Sequence, residues 1–280
     1  MSFRNINTTT NTTTNTTKVI SDKKKAICMG LNDYPGSHND LRGCVNDAKN
    51  WSSLLNGMYG FNVKTLFDSQ IRYNTVTELM GNYISDSRAG DYIAITFSGH
   101  GTHVADQNGD EPNGRDEALC LYDGYLVDDC IRDIMKRLHP EANLTFIADC
   151  CHSGTITRSF LSAMNEDRYL KPRFLPPEDE YEASRVRSSD INHNLFYPEE
   201  GMNEILISGC LPDEYSYDAY IGGKFQGAMS YFATKIIRRY PSITYQNFHN
   251  MLRRSLPSSK FPQSPQLEGT EENKKRIMFT

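Results

Sequence analysis

The sequence predicts an α/β fold in which a mostly parallel central sheet is covered by helices on both faces. Short apolar runs of strand length alternate with longer amphipathic runs along most of the 280 residues, a pattern typical of βαβ units. Two of the apolar runs, within YIAITFSGHGTH and LTFIADCCHSGT, end in polar residues flanked by glycine. The composition, with 38% hydrophobic and 23% charged residues, is that of an ordinary globular protein.

Each element follows from its local pattern. The first apolar run predicts a strand at 24–31, and the amphipathic run after it predicts a helix at 41–60 that ends at Gly60. The alternation then predicts strands at 62–68, 91–98 and 143–149, with helices at 75–87 and 126–139 between them. The remaining predictions are a strand at 204–210, helices at 225–240 and 245–256, and an edge strand at 276–279.

Two segments do not fit this alternation. Residues 1–22 repeat threonine and asparagine with almost nothing to bury, so we expect a disordered tail. Residues 23–280 are then expected to form one domain. Within it, residues 158–202 are rich in proline and in charges of both signs, and we expect a long charged loop.

Composition excludes several classes of partner. The net charge of −5 is spread over mixed acidic and basic residues, so no nucleic acid or membrane surface is expected as a partner. No apolar run reaches the length of a spanning helix, and the N-terminus lacks the apolar stretch of a signal peptide. Seven cysteines, an odd number, fit reduced thiols better than a disulfide framework. We therefore expect a cytoplasmic protein, and a monomer.

His100 and Cys151 follow the two apolar runs and are candidates for catalysis. A thiol is a strong nucleophile only as a thiolate, so a catalytic cysteine needs a base or a positive neighbour. The carboxyl ends of parallel strands meet at one edge of a sheet, which would bring the two residues together. Taken singly, each residue could equally be an inert member of the core. Cys150 is a rival nucleophile, because adjacent residues of a strand face opposite sides.

Five motifs together resemble those of a type I metacaspase, over the chain from about residue 24 to the C-terminus. They are GCVNDA at 43–48, FSGHGT at 97–102, DCCHSG at 149–154, ISGCLPDEYSYDA at 207–219 and FQGAMSYF at 225–232. The resemblance implies a caspase-like three-layer sandwich. It also implies a cysteine-type endopeptidase that acts on proteins or peptides and cleaves after arginine or lysine.

The resemblance also assigns roles to individual residues. It implies Cys151 as nucleophile, His100 as base, and the backbone amides of Gly101 and Cys151 as an oxyanion hole, with no third catalytic side chain. It further implies a pocket for a basic side chain, formed by Cys44, Asp47, Ser98 and Asp149. Two carboxylates suit a guanidinium or ammonium group. The alternatives are a solvated Asp47 on a helix and an Asp149 that accepts backbone amides at a strand end.

An acidic segment suggests a divalent cation. Between Asp106 and Asp133 nine residues are acidic and only two are basic, and oxygen-rich sites suit Ca²⁺. The resemblance implies calcium ligands at Asp116, Asp128 and Asp129 and places the fourth ligand at Arg158, a cation that weakens the site unless a neighbour such as Asp123 replaces it. The alternative is a solvated acidic surface. Zinc is disfavoured, because adjacent Cys-Cys-His does not have the spacing of a zinc site.

Three questions stay open at the level of sequence. An enzyme that cuts after basic residues could cut its own 158–202 loop, which offers several arginines and lysines, or the loop could simply be solvated. The chain could also be a catalytically silent caspase-like scaffold that binds proteins, although both members of the dyad and both pocket carboxylates are present. A third possibility is a hydrolase of the same fold that acts on another substrate.

Overall fold

The computed structural model describes residues 23–105, 115–151, 169–176, 202–211 and 214–280. The expected tail at 1–22 and most of the expected loop at 158–202 lie outside the described residues.

The described chain alternates strands and helices as expected. Its first half contains β1 (Lys24–Gly30), α1 (Cys44–Tyr59), β2 (Asn62–Phe67), α2 (Tyr73–Ser85), β3 (Tyr92–Ser98), β4 (Gly101–Ala105), β5 (Arg115–Leu121), β6 (Gly124–Val127), α3 (Asp128–Met135) and β7 (Asn143–Asp149). Its second half contains β8 (Leu170–Pro172), β9 (Glu204–Ser208), β10 (Tyr217–Ile221), β11 (Lys224–Gly227), α4 (Ala228–Arg239), α5 (Tyr245–Ser255), β12 (Gln266–Glu268) and α6 (Glu271–Lys274).

Six strands form the central sheet, in the order β12-β9-β7-β3-β1-β2. All neighbours in it are parallel except the edge strand β12, which is antiparallel to β9. Buried strands of a parallel sheet are apolar on both faces, and five of the seven residues of β1 and six of the seven residues of β3 and of β7 are buried. The predicted mostly parallel sheet is confirmed.

Helices cover both faces of this sheet and enclose one hydrophobic cluster on each side. One cluster contains side chains of α1, α4 and α5, among them Trp51, Ile237 and Phe248. The other contains side chains of α2 and α3, among them Met80 and Ile134. The result is the predicted three-layer sandwich.

Some predicted element boundaries are wrong. The helix predicted at 126–139 is the end of β6 followed by α3, and the helix predicted at 225–240 begins as β11. The edge strand predicted at 276–279 is absent, since this segment makes only a single bridge between Thr244 and Ile277, and the edge is β12 instead. Apolar runs of three or four residues carry too little periodicity to separate a short strand from a helix start.

Two small antiparallel sheets lie beside the central one. One has the strand order β4-β5-β6, and the other has the order β11-β10-β8. Among the residues that the structure describes, no helix has both the length and the apolar character needed to span a membrane.

Candidate active site

The register of the central sheet brings His100 and Cys151 to the same edge. Ser98, the last residue of β3, pairs with Asp149, the last residue of β7. His100 and Cys151 each follow two positions later, just where the parallel strands end. Both side chains are fully buried. The structure therefore places the two predicted catalytic residues at equivalent positions on neighbouring strands.

The His100 imidazole is held by main-chain and aromatic groups. Its Nε2 lies 2.7 Å from the carbonyl oxygen of Asn39. A carbonyl can only accept, so Nε2 carries the proton and Nδ1 carries the free lone pair. Nδ1 has no hydrogen-bond partner of normal geometry among the described residues. The ring packs against Tyr34 at a centroid distance of 4.8 Å, and the hydroxyl of Tyr34 accepts the backbone amide of His100 at 2.7 Å.

Burial lowers the pKa of His100 to about 3. The positive charges of Lys171 and Arg173 also lower it, whereas the hydrogen bond that Nε2 donates to the carbonyl of Asn39 raises it. The imidazole is therefore neutral at physiological pH in this state. A neutral imidazole with a free Nδ1 can accept a proton, as a general base must.

Cys150 and Cys151 face opposite sides of the sheet. Cys151 belongs to the hydrophobic cluster that contains α1 and α4, whereas Cys150 belongs to the cluster on the other face. Burial raises the pKa of Cys150 well above its usual value, which keeps that thiol protonated. The Sγ of Cys151 instead accepts the backbone amide of Ser216 at 2.8 Å. The alternative nucleophile thus lies in the core, away from the site.

The two predicted oxyanion-hole amides bind one carbonyl oxygen of the protein itself. The amide of Gly101 donates to the main-chain oxygen of Arg173 at 3.0 Å, and the amide of Cys151 donates to the same oxygen at 3.1 Å. These distances are in the range expected for stabilising a developing oxyanion. Gly101 has no substitute here, because a side chain would collide with the carbonyl of Cys151.

The side chain of Arg173 fills the predicted pocket for a basic residue. Its guanidinium is fully buried and lies 2.6 Å from Asp47, 3.2 Å from Asp149 and 3.1 Å from Asp218. Gly227 leaves room for it, since a methyl group there would lie 2.5 Å from Nη1 of Arg173. Of the predicted pocket residues, Asp47 and Asp149 therefore contact a basic side chain directly.

The other two predicted pocket residues lie close by. Cys44 is fully buried, and the positive charge of Arg173 counteracts the rise of its pKa that burial causes. Ser98 is buried beside Asp149 in the sheet register. Asp47 is not a solvated helix residue, because it is 0% exposed. Asp149 accepts a backbone amide at the strand end, as the alternative stated, but it also binds the guanidinium.

Backbone amides fix the pocket carboxylates. The amide of Gly227 donates to both oxygens of Asp47 at 3.0 Å, and the amide of Ser230 donates to Asp149 at 2.9 Å. These amides surround the start of α4, where the helix dipole favours negative charge. Burial nevertheless raises the pKa of Asp47 to about 7, against the attraction of Arg173. Repulsion from Asp149 and Asp218 adds to the rise in pKa that burial causes.

Residues 170–175 cross this site as an extended strand. β8 pairs antiparallel with β10, and the amide of Arg173 donates to the carbonyl of Ser216 at 2.9 Å. Beyond Arg173 the amide of Leu175 donates to the carbonyl of Gly101 at 3.0 Å. The segment is therefore bound through its main chain on both sides of Arg173, in the way that a protease holds an extended peptide.

Sequence reasoning missed several residues of the site. Asp218 lies within the motif at 207–219, and no role was predicted for it. Its position on β10, opposite β8, brings its carboxylate to Arg173 in the pocket. Ser216 precedes β10 and contacts Cys151, Asp149 and Arg173. Asn39 and Tyr34 lie in a turn-rich segment with no motif. Alternation within the strand could have found Asp218, but a contact made by a main-chain carbonyl leaves no signal in the sequence.

The predicted metal ligands lie on β5 and α3, outside the central sheet. Asp116 is on β5, and Asp128 and Asp129 begin α3. Burial raises the pKa of Asp128 to about 7, with repulsion from Glu117, Asp129 and Asp116 adding to the shift and Arg132 opposing it. The like charges are therefore near one another.

A cation of the protein already neutralises part of this cluster. Arg132 lies 2.9 Å from Asp128 and 3.9 Å from Asp129. Asp123, suggested as a replacement ligand, accepts the amide of Tyr73 at 2.8 Å at the start of α2 and lies 3.6 Å from Arg72. Within the described ranges, no group of three or more histidine, cysteine or carboxylate side chains is arranged to hold a metal ion. Arg158 lies outside these ranges.

Comparison with known proteins agrees with this geometry. The family described as metacaspase, peptidase C14 domain, matches residues 24–159. A protein named Metacaspase-1 from Scheffersomyces stipitis is 32% identical, with 92% of this chain and 73% of that protein covered. Metacaspase-1 from Meyerozyma guilliermondii is 31% identical, with 92% of this chain and 72% of that protein covered.

Solved structures support the same fold. The crystal structure of a protein from Geobacter sulfurreducens has a TM-score of 0.70 at 26% identity and covers 92% of this chain and 98% of that one. Caspase-1 from Spodoptera frugiperda has a TM-score of 0.56 at 11% identity, covering 88% of this chain and 86% of that one. The second likeness concerns the fold alone.

Proposed function

Because the chain belongs to the metacaspase family and is a cysteine-type endopeptidase, we propose that it cleaves peptide bonds after arginine or lysine with Cys151 as nucleophile and His100 as base. One observation carries the proposal. Arg173 has its guanidinium among three carboxylates and its carbonyl oxygen between the amides of Gly101 and Cys151. A residue bound in this way occupies the position of the residue before the cleaved bond.

The first chemical step is acylation. His100 takes the thiol proton of Cys151 at Nδ1, and the thiolate adds to the carbonyl carbon of the bound arginine. The amides of Gly101 and Cys151 stabilise the oxyanion that forms, and losing one such donor typically costs about 100- to 1000-fold in rate. The C–N bond then breaks, and the imidazolium gives its proton to the departing amine.

The second step is hydrolysis of the thioester. His100, neutral again, takes a proton from a water molecule as that water adds to the acyl carbon. The same two amides stabilise the second oxyanion. The C–S bond breaks, the thiol of Cys151 recovers its proton from His100, and the peptide leaves with a new carboxylate.

Charge in the pocket supports the choice of substrate. Asp47, Asp149 and Asp218 are each at most 2% exposed, and an aspartate side chain of a substrate would meet them as a fourth negative charge. Burying like charges together is costly. A guanidinium or ammonium group instead forms charge-assisted hydrogen bonds with them.

Calcium activation is a second element of the proposal. Asp116, Glu117, Asp128 and Asp129 are near one another and carry like charge, and a divalent cation would relieve their repulsion. Arg132 would have to leave Asp128 for an ion to bind there. Measuring hydrolysis after removal of Ca²⁺ with EDTA, and again after its readdition, tests calcium activation separately from the choice of nucleophile and substrate.

The proposal is tested with purified protein and peptide reporters ending in Arg, Lys or Asp, in EDTA and in added Ca²⁺. Hydrolysis of the Arg and Lys reporters that disappears in Cys151→Ala supports it. Activity on the Asp reporter alone, or activity that survives Cys151→Ala and is lost in Cys150→Ala, contradicts it. A complete lack of hydrolysis of every reporter would favour the catalytically silent scaffold.

A further inference from the structure

The strand that crosses the active site carries a second basic side chain that the rest of the protein binds. Lys171 lies two residues before Arg173, and its ammonium donates to the carbonyl of His38 at 2.9 Å and to the carbonyl of Asp40 at 2.9 Å. The side chain is half-buried. An ammonium has three donors and no acceptor, so two main-chain carbonyls satisfy two of them. Neither Lys171 nor these carbonyls belong to the pocket for Arg173.

The two carbonyls flank the one that holds the base. His38, Asn39 and Asp40 are consecutive, and the middle carbonyl, that of Asn39, accepts from Nε2 of His100. The outer two face Lys171. One tripeptide thus contacts the substrate-like strand and the base at the same time.

The tripeptide lies in a turn-rich segment that contains a short 3-10 helix, Ser37–Asn39. The amide of Asn39 donates to the carbonyl of Gly36, and the amide of Tyr34 donates to the side chain of Asp40. Gly36 has a positive φ of 91°, which allows the tight turn. A cation that draws together the carbonyls of His38 and Asp40 therefore also fixes the direction of the carbonyl between them.

We propose that the carbonyls of His38 and Asp40 form a recognition site for a basic side chain two residues before the arginine that precedes the cleaved bond, and that its occupation positions His100 for catalysis. The substrate class is a peptide of the form Lys-x-Arg, with cleavage after the arginine. The inference rests on the proposed function, because it takes Arg173 as the residue before the cleaved bond. The carbonyls of the tripeptide are positioning groups and do not touch the reacting atoms.

Norleucine provides the matched substrate, because it keeps the straight alkyl chain and lacks the ammonium. The reporters are acyl-Lys-Pro-Arg, acyl-norleucine-Pro-Arg and acyl-Glu-Pro-Arg. Norleucine lacks the two charge-assisted hydrogen bonds to these exposed and partly buried carbonyls, so kcat/KM should fall about 10-fold. Part of this loss falls on kcat, because the base is then less well oriented. Equal rates for Lys and norleucine would overturn the proposal, and a difference confined to KM would overturn the role in positioning His100.

A second measurement does not depend on catalysis. In a Cys151→Ala background, hydrogen exchange of the peptide that contains the amides of Arg173 and Leu175 reports how often the strand leaves the site. Lys171→Met should accelerate this exchange about 10-fold, whereas Lys64→Met, at an exposed position of β2, should leave it unchanged. If the reporters are not cleaved at all, the proposed function fails. If, in addition, exchange in Lys171→Met equals exchange in the Lys64→Met control, the proposed recognition site is overturned too.

Discussion

The main-chain oxygen of Arg173 lies 3.1 Å from the amide nitrogen of Cys151. The same oxygen accepts from Gly101, and the Arg173 side chain is fully buried. The cleft is therefore filled by the protein's own chain in the arrangement expected of a substrate. On the proposed function, a protein substrate binds only after residues 170–175 leave, either because the strand detaches or because the bond after Arg173 is cut.

The first prediction is self-cleavage between Arg173 and Phe174. The carbonyl group that precedes this bond, that of Arg173, accepts the amides of Gly101 and Cys151. Phe174 is buried and stacks against His103 at a centroid distance of 5.9 Å, so the residue after the bond is also held. Intact-mass measurement should find the fragment 174–280 in the purified protein and the uncut chain in Cys151→Ala.

Two substitutions sharpen this test. Arg173→Lys keeps a positive charge in the pocket and should still be cut at the same bond. Arg173→Gln removes the charge and should leave the bond intact. Fragments of identical mass in Cys151→Ala would assign the cut to another protease and remove the prediction.

The second prediction separates the two adjacent cysteines. Cys151→Ala should abolish hydrolysis of an Arg reporter while the protein stays folded. Cys150→Ala should keep most of the activity and lower the free energy of unfolding by roughly 1 kcal/mol, because a small buried group is removed from the core. Activity assays combined with urea unfolding measure both effects. Loss of activity in Cys150→Ala with unchanged stability would contradict the assignment.

The third prediction concerns Asp218. Its Oδ2 accepts the amides of Arg42 and Gly43, at 2.7 and 3.2 Å, while its Oδ1 binds Arg173. Asp218→Asn should keep the shape of the pocket but lower kcat/KM on Arg reporters about 10- to 100-fold, since one partner of a buried charge is lost. Asp86→Asn, at an exposed position, is the control. An unchanged kcat/KM would remove Asp218 from the pocket.

The fold was largely predictable from the sequence, and the site was predictable in part. Long apolar runs predicted β1, β3 and β7, and their parallel register carries His100 and Cys151 to one edge. Asp47 and Asp149 were predicted because their motifs, GCVNDA and DCCHSG, resemble those of metacaspases. The occupation of the cleft by Arg173 was not predicted, because it depends on which part of a 45-residue charged segment folds back onto the sheet. No local pattern encodes such a long-range contact.

The fourth prediction concerns calcium. If an ion binds beside Asp128, activity should fall in EDTA and return with Ca²⁺ in the millimolar range, which is typical of weak oxygen sites. Arg132→Gln removes the cation that now pairs with Asp128 and should shift half-activation to lower Ca²⁺ concentration. Lys136, which pairs with Asp133 on the same helix surface, provides the control as Lys136→Gln. Equal rates in EDTA and in Ca²⁺ would contradict calcium activation.

The last prediction uses the pH dependence of the closed cleft. With the strand bound, the pKa of His100 is lowered to about 3, against an ordinary value of 6.5. Between these values the unfolded state takes up a proton that the closed state does not, and the detached state takes it up more readily than the closed state because the charges of Lys171 and Arg173 have left the ring. The contribution of His100 is therefore fully present above about pH 6.5 and is lost as the pH falls toward 3, by up to about 1.4 kcal/mol per pH unit.

Asp47 acts in the opposite direction, because its pKa is raised from 3.8 to about 7 in the closed state. The closed state holds that proton more tightly, so the contribution of Asp47 improves as the pH falls from 7 to 4. Replacing His100 isolates its contribution to the pH dependence of the closed state. In a Cys151→Ala background, the exchange of residues 169–176 should accelerate between pH 7 and pH 5, after correction for intrinsic exchange, more steeply than in the same protein with His100→Asn. Equal slopes would show that His100 already carries its proton in the closed cleft.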